Sequence, residues 1–263
     1  MTTQDPGTGP ALFDVAAEAY DRLIGRYLPT LGVAFADAAG VEPGQRVLDV
    51  GCGPGGLTRV LAERVGAAHV SAVDPSPPFV AACRERVPGV DVREGVAEAL
   101  PYADGAFDAS LASLVVGFMT DPGAGVAEMR RITRPGGRLA LSFWTVDAMP
   151  LLQTYWRAVA DVTGEAPTDE TRVGRRDGDL VRLLDGAGAG DVRQSRITGT
   201  AAYADLDDFW SSFTGGAGPV GVHARSLAPD VAAAVRDACD RLLGRPRAPF
   251  TLEAVAWCAV GTS

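Results

Sequence analysis

The 263-residue chain contains no lysine and no asparagine, so all 24 of its basic residues are arginines. Against them stand 33 acidic residues, for a formal net charge of -9 and a pI near 4.8. No basic stripe is available for a phosphate backbone or an anionic bilayer, which argues against nucleic acid and membrane as partners. Cysteine is scarce as well. Cys52, Cys83, Cys239 and Cys258 are scattered without a C-x-x-C pair, and the two histidines, His69 and His223, stand far from them in sequence. Neither a disulfide framework nor a zinc site is expected, and with no asparagine to complete an Asp-Asp-Asn cluster no other metal is expected either. The opening MTTQDPGTGP lacks a basic and then apolar leader, and the best apolar run, ASLASLVVGFM, is too short to cross a bilayer. A cytoplasmic protein of enzyme size is the expectation.

What the chain does have is alternation of short apolar strands with helical spacing. Residues 11–39 carry helical periodicity broken at Gly25 and Pro29, which predicts two short helices. Then come strand RVLDVG, helix LTRVLAERVG, strand HVSAVD, helix PPFVAACRERV, strand VDVREG, strand FDASLASL, helix GVAEMRRIT, a stop at RPGG and strand RLALSFW. Strands joined by helices of this length imply right-handed crossovers and a mainly parallel sheet covered on both faces. After residue 148 the texture changes to helices, an arginine-rich connection ETRVGRRDGD, and two late strands, VRQSRITGTAAYA and FTLEAVAWCAV. The expected architecture is a doubly wound α/β fold with a seven-stranded sheet, one strand antiparallel. It is read as one compact domain: residues 1–40 a helical cap, 41–147 a Rossmann-like ligand-binding core, and 148–263 the completion of the sheet with a helical insertion near the C-terminus.

Residues 47–56, VLDVGCGPGG, place Gly51, Gly53 and Gly56 in a G-x-G-x-x-G pattern after the first strand. Such a loop brings backbone close to a ligand at the carboxyl ends of the strands. Asp74 ends the second strand, where it can accept from both hydroxyls of a ribose; capping of the following helix is its structural alternative. Nicotinamide dinucleotides and S-adenosylmethionine (SAM) share that ribose. Asp49, two residues before the first glycine, separates them: it repels a pyrophosphate and favours a ligand bearing an ammonium and a sulfonium.

The motifs VLDVGCGPG and VDPS resemble the first two motifs of class I SAM-dependent methyltransferases. The runs EGVAEALPYADGAFDASLASLVVGF and EMRRITRPGGRLALSFW resemble the rest of the core in the bacterial methyltransferase-type-11 group. The resemblance implies SAM as cofactor. It places Gly51, Cys52 and Gly53 at the methionine portion, Asp49 near its ammonium, Asp74 on the ribose and Pro75 beside the adenine. Val96, Ala97 and Glu98 would form the adenine's polar wall, with Val96 where relatives usually carry an acidic residue; a solvated surface role is the alternative for Glu98. Ser113 and Leu114 would flank the methionine side. YDRLIGRY is similar to a helix that closes over the cofactor, which makes Tyr20 and Arg26 candidates to complete the site, Arg26 as partner of the ligand carboxylate.

Methyl transfer from a sulfonium asks a protein mainly to align nucleophile, methyl and sulfur away from water. Where a base is needed, His223 is the catalytic candidate, with a loop histidine as its alternative; His69, at the far end of its strand, is read as structural. Trp210 and Phe213, before a glycine-rich turn, are candidate substrate-binding residues, as are Tyr155 and Trp156, with core packing as the alternative for each. The expectation is therefore an enzyme methylating a small molecule, a secondary metabolite being one class, at O or C ahead of N. A nicotinamide-dependent oxidoreductase and a non-catalytic SAM-binding protein remain as alternatives.

Overall fold

A computed structural model describes residues 17–145, 147–164 and 172–263; the first sixteen residues of the expected cap lie outside that set. The sheet is built from β1 (Val47–Val50), β2 (Val70–Asp74), β3 (Asp91–Glu94), β4 (Phe107–Ser113), β5 (Thr133–Trp144), β6 (Gly190–Tyr203) and β7 (Phe250–Thr262). Its order is β3-β2-β1-β4-β5-β7-β6. The first five strands pair in parallel, and β7 runs antiparallel to both β5 and β6.

All four residues of β1 are buried, as a central parallel strand requires. Alternate side chains go to opposite faces. Val47 joins a core with α2 (Leu28–Ala39), α3 (Gly56–Val65), α6 (Pro150–Thr163) and α10 (Pro229–Leu242). Leu48 and Val50 join a second core under α5 (Pro122–Ile132) and α7 (Asp179–Gly186). The remaining helices are α1 (Ala17–Leu23), α4 (Pro77–Arg86), α8 (Leu206–Thr214) and α9 (Gly218–Ser226). No described helix is long and apolar enough to cross a membrane.

The break expected near Gly25 and Pro29 is a single 3-10 turn, Gly25–Tyr27, between α1 and α2. Pro29 lies in the first turn of α2, where its missing N–H costs nothing, and Gly40 ends the helix in the left-handed conformation. Leu28, Leu31, Gly32, Phe35, Ala36 and Ala39 form its buried stripe, the spacing of one face of a 3.6-residue helix. The helix lies across β6, and Gly199 permits this: a Cβ there would sit 3.0 Å from Leu31 Cβ.

One expectation gives way. RPGG, Arg134 to Gly137, is not a stop but the irregular opening of β5. Thr133 pairs with Phe107, and the register then slips before Ala109 meets Arg138. Gly136, at φ 75°, absorbs the extra residues, and Gly137 lets β4 pass, since a Cβ there would lie 2.7 Å from Asp108 O. The glycines make a bulge inside a strand.

Gly56 is the tightest of these approaches. A methyl there would sit 2.3 Å from Leu28 Cδ1 and 2.9 Å from Leu28 Cβ, prising α2 from α3. Overpacking of this kind costs about 1–3 kcal/mol, against at most about 1 kcal/mol gained in helix propensity. Gly56→Ala is therefore expected to lower the urea midpoint, with a net loss of about 1–2 kcal/mol; an unchanged midpoint would show that α2 moves freely.

Candidate functional site

Strand order reverses between β1 and β4, and the glycine loop leaves β1 at that point, where open α/β sheets form their ligand crevice. Two successive amides, Gly51 N–H and Cys52 N–H, donate to the carbonyl of Val73 at 2.8 and 3.1 Å. Gly51, Gly53 and Gly55 all have positive φ, at 72°, 53° and 96°. A side chain at Gly51 would also collide with Val115, 2.5 Å away. Gly55, absent from the three-glycine pattern, is the N-cap of α3. The Cys52 side chain turns inward to a small core with Ala72, Val80, Cys83 and Val92, so this residue offers the cleft only its backbone.

Asp74 grips the loop. Its Oδ2 accepts from Gly53 N–H at 2.8 Å and its Oδ1 from Ser76 N–H at 2.9 Å. A carboxylate has about four acceptor positions, so the two oxygens retain capacity for a diol. Burial pushes its pKa up to about 6, against the lowering pull of those two amides. Asp49 behaves differently from its expected place at the mouth. It is 1% exposed, lies beneath the loop, and accepts from Thr58 Oγ1 at 2.7 Å. Desolvation raises its pKa to about 7, Thr58 opposes the rise, and the charge of Asp74 adds to it. Asp49 is not part of the wall of the cleft above the loop.

The cleft above the loop is walled by Tyr20, Gly51, Gly53, Asp74, Ser76, Phe79, Ser113, Leu114, Val115 and Phe118. Tyr20 from α1 meets Phe79 edge-on at 5.4 Å. Burial first and then Asp74 drive its pKa upward, so the phenol keeps its proton. Ser113 accepts from Ser142 Oγ at 3.2 Å. Leu114 holds φ at 61°, strain of about 1–3 kcal/mol for a non-glycine residue, and its N–H donates to Ser142 O at 2.8 Å.

The expected adenine wall adjoins Asp74, because Gly95 N–H donates to Asp74 O at 3.1 Å. Val96 is 42% exposed, while Ala97 is buried against the second core. Glu98 is half-buried, and its Oε1 accepts from Asp121 N–H at 3.0 Å. None of these three, nor half-buried Pro75, is part of the enclosed wall of the cleft.

Beside the cleft is a second, largely apolar cavity. Tyr20, Leu114 and Phe118 wall both. Its other walls come from distant segments: Leu23 at the end of α1 and Ile24 after it, Phe143 and Trp144 ending β5, Leu152 and Trp156 on α6, Arg172 and Arg175, and Gly218 to Val220 on α9.

Several expected residues are elsewhere. Arg26 donates through both terminal nitrogens to Asp208, at 3.0 and 3.2 Å, lies over the Tyr203 ring at 4.4 Å, and walls neither cavity. Its planar fork ties the N-terminal segment to α8 instead of meeting a ligand carboxylate. Phe213 is fully buried and packs at 4.5 Å on Tyr155, with Trp210 at 5.9 Å from Phe213. They form core beneath α8, and neither walls the apolar cavity. His223 shares a 2.8 Å hydrogen bond with Tyr155 Oη and lies 4.8 Å from Trp156; Trp156 walls the cavity and His223 does not. His69 sits in a 3-10 turn before β2, at the end remote from the loop. The sequence pattern pointed to Tyr20, Trp156 and Leu114. It missed Phe79, Phe118, Phe143 and the two arginines, whose only sign was the arginine-rich connection.

Comparison with known proteins assigns these features to a family. A family profile described as a methyltransferase domain matches residues 48–141. The demethylmenaquinone methyltransferase of Clavibacter sepedonicus is 33% identical over 60% of this chain and 68% of its own. That of Beutenbergia cavernae is 37% identical over 53% of this chain and 59% of its own. The chain spans about half the length of the curated relatives it matches. Among solved structures, a SAM-dependent methyltransferase from Thermotoga maritima superposes with a TM-score of 0.57 at 18% identity, covering 96% of this chain and 99% of that one.

The two buried carboxylates make a test independent of any ligand. Ordinary carboxylates ionise near 3.8, but Asp74 and Asp49 hold their protons to about 6 and about 7 in the folded chain. The folded state then binds more protons than the unfolded across that window, and stability falls as pH rises through it. Thermal unfolding of the ligand-free protein is expected to show this decline between about pH 4 and pH 7, and Asp49→Asn is expected to flatten it. A wild-type slope equal to that of the variant would contradict the assignment.

Proposed function

The chain belongs to the class I SAM-dependent methyltransferases, in the methyltransferase-type-11 group, and from that premise we propose that it moves a methyl group from SAM to a small apolar molecule. The observation that carries this reading is the shared wall: the loop cleft and the apolar cavity meet at Tyr20, Leu114 and Phe118, so a donor in one faces an acceptor in the other. The relatives' name, demethylmenaquinone methyltransferase, supports a small-molecule acceptor, and a secondary metabolite is the acceptor class proposed here.

The residues present fit the donor. Glycines at 51 and 53 leave bare backbone at the cleft, and Asp74 keeps acceptor positions for ribose hydroxyls. Val96 and Glu98 stand in the turn that adjoins Asp74, which supports their place at the adenine. When bound, SAM supplies a methyl on a sulfonium; the acceptor's lone pair forms the new carbon bond as the carbon–sulfur pair returns to sulfur. Leu114 and Phe118 keep water from the junction. Tyr20 brings a protonated phenol to the junction. Among the described walls of the acceptor cavity no carboxylate or imidazole is present. Alignment and dryness, not proton transfer by a side chain, are then the pocket's contribution, which suits an O or C acceptor that arrives already deprotonated.

Calorimetry with SAM and its demethylated product tests the reading. Wild-type protein is expected to bind both, and Asp74→Ala to weaken each by about tenfold or more, the loss of charge-assisted hydrogen bonds. Affinity for SAM is expected to rise about tenfold from pH 5 to pH 7.5, because Asp74 must be ionised to accept and its pKa is about 6. Absence of binding, or indifference to Asp74→Ala, would overturn the assignment. A product assay against candidate acceptors separates turnover from binding alone.

A further inference from the structure

We infer that Asp49, beneath the glycine loop, lets the site tell the charged donor from its neutral product: its carboxyl releases a proton to solvent when a sulfonium enters the cleft and regains one after the methyl has left. Thr58 is the positioning residue that keeps this carboxyl ready to ionise. The inference rests on the methyl-transfer reading above and deepens it by naming what drives the exchange of product for donor.

Under the loop lies a chain of buried polar groups. Asp49 is 1% exposed, and Thr58 and Cys83 are fully buried. Thr58 Oγ1 donates to Asp49 Oδ2 at 2.7 Å and accepts from Cys83 Sγ at 3.7 Å. Cys52 shares a further hydrogen bond with Cys83, which raises the pKa of Cys52 and lowers that of Cys83. A hydroxyl has a single hydrogen, and with Cys83 on the acceptor side of Thr58 that hydrogen is aimed at Asp49. A donor so aimed favours the ionised carboxyl, whereas burial opposes it; together they leave Asp49 with a pKa of about 7. No basic group is among the influences on it. A carboxyl placed in this way responds strongly to a positive charge brought close, since little water is present to screen the pair.

The cleft is where such a charge arrives. Among its described walls the one charged residue is Asp74. Asp49 does not line the cleft, yet its charge is felt there: on the Tyr20 phenol, a wall residue, the charges of Asp74, Asp21 and Asp49 add to the upward push of burial. The titratable groups about Asp49 are therefore Asp74 at the end of β2, Cys52 in the loop, Cys83 on α4 and Tyr20 on α1. Of these Asp74 ionises at about 6, and the ribose proposed to meet it is common to donor and product.

Demethylation leaves the ligand's sugar, base and amino-acid portion as they were and removes one positive charge. As the acceptor takes the methyl, the carbon–sulfur pair returns to sulfur and the sulfonium becomes a neutral thioether. An ionised Asp49 loses a favourable interaction at that moment and recovers by taking a proton from water. Product is then held less well relative to donor the more fully Asp49 is ionised, so the preference for donor grows with pH.

The test is calorimetry on the full chain with SAM and with its demethylated product, between pH 5 and pH 7, in buffers of different ionisation enthalpy, so that the protons released on binding are counted. In this range the α-ammonium of each ligand keeps its proton. SAM is expected to release roughly a quarter of a proton more than the product, and so to gain about threefold in affinity over it across the two pH units. Asp49→Asn is expected to abolish both the excess and the gain. Thr58→Val, which removes the donor, is expected to shrink the gain below pH 7, and Thr58→Ser to restore it; a role confined to packing would not follow the hydroxyl. Binding of the product reports that each variant folds, and should a variant not fold, the wild-type proton counts decide. Equal proton release by the two ligands, an excess that survives Asp49→Asn, or an undiminished gain in Thr58→Val would overturn the inference. Failure of wild-type protein to bind either ligand would instead strike at the methyl-transfer reading.

Discussion

Asp74 spends both carboxylate oxygens on backbone, one on Gly53 and one on Ser76, and in doing so joins the end of β2 to the loop that leaves β1. Val73 O makes the same junction from the other side by accepting two successive loop amides. A loop with three left-handed glycines has little conformational preference of its own. These few bonds supply it. The cost is a carboxylate buried beside another, Asp49, each resisting ionisation because burial penalises its charge.

From that junction the rest of the architecture has one task, which is to roof the crevice. Tyr20 comes down from α1 between the cleft and the cavity, Leu114 accepts strain to stay at the boundary, and Phe118 closes it. The helices α6 and α9, the last residues of β5, Arg172 and Arg175 then border the apolar cavity beside it. Arg26 strengthens this roof from outside through Asp208, a bidentate pair that contributes position more than energy.

The legible part of the site is the part that is local in sequence. Gly51, Gly53 and Asp74 follow from a strand–loop–helix pattern, because each answers a need of the immediate backbone. Asp49 was legible as a carboxylate but not as a buried one; nothing in VLDVG says that Thr58, nine residues on, will rise from α3 to cover it. Trp210 and Phe213 illustrate the opposite failure. Their helical spacing suits a pocket or a core equally, and the approach of Tyr155 from α6 decides for core.

By itself the sequence determined the order of strands and helices, since periodicity and glycine conformation act over a few residues, and it determined the family to which the glycine loop points. Tertiary structure alone decided the bulge at RPGG, the choice of Asp208 as partner for Arg26, and the meeting of Arg172, Arg175 and Phe118 around one cavity. Those outcomes turn on which surfaces come within a few ångströms of each other, and segments far apart in sequence carry no local trace of that choice.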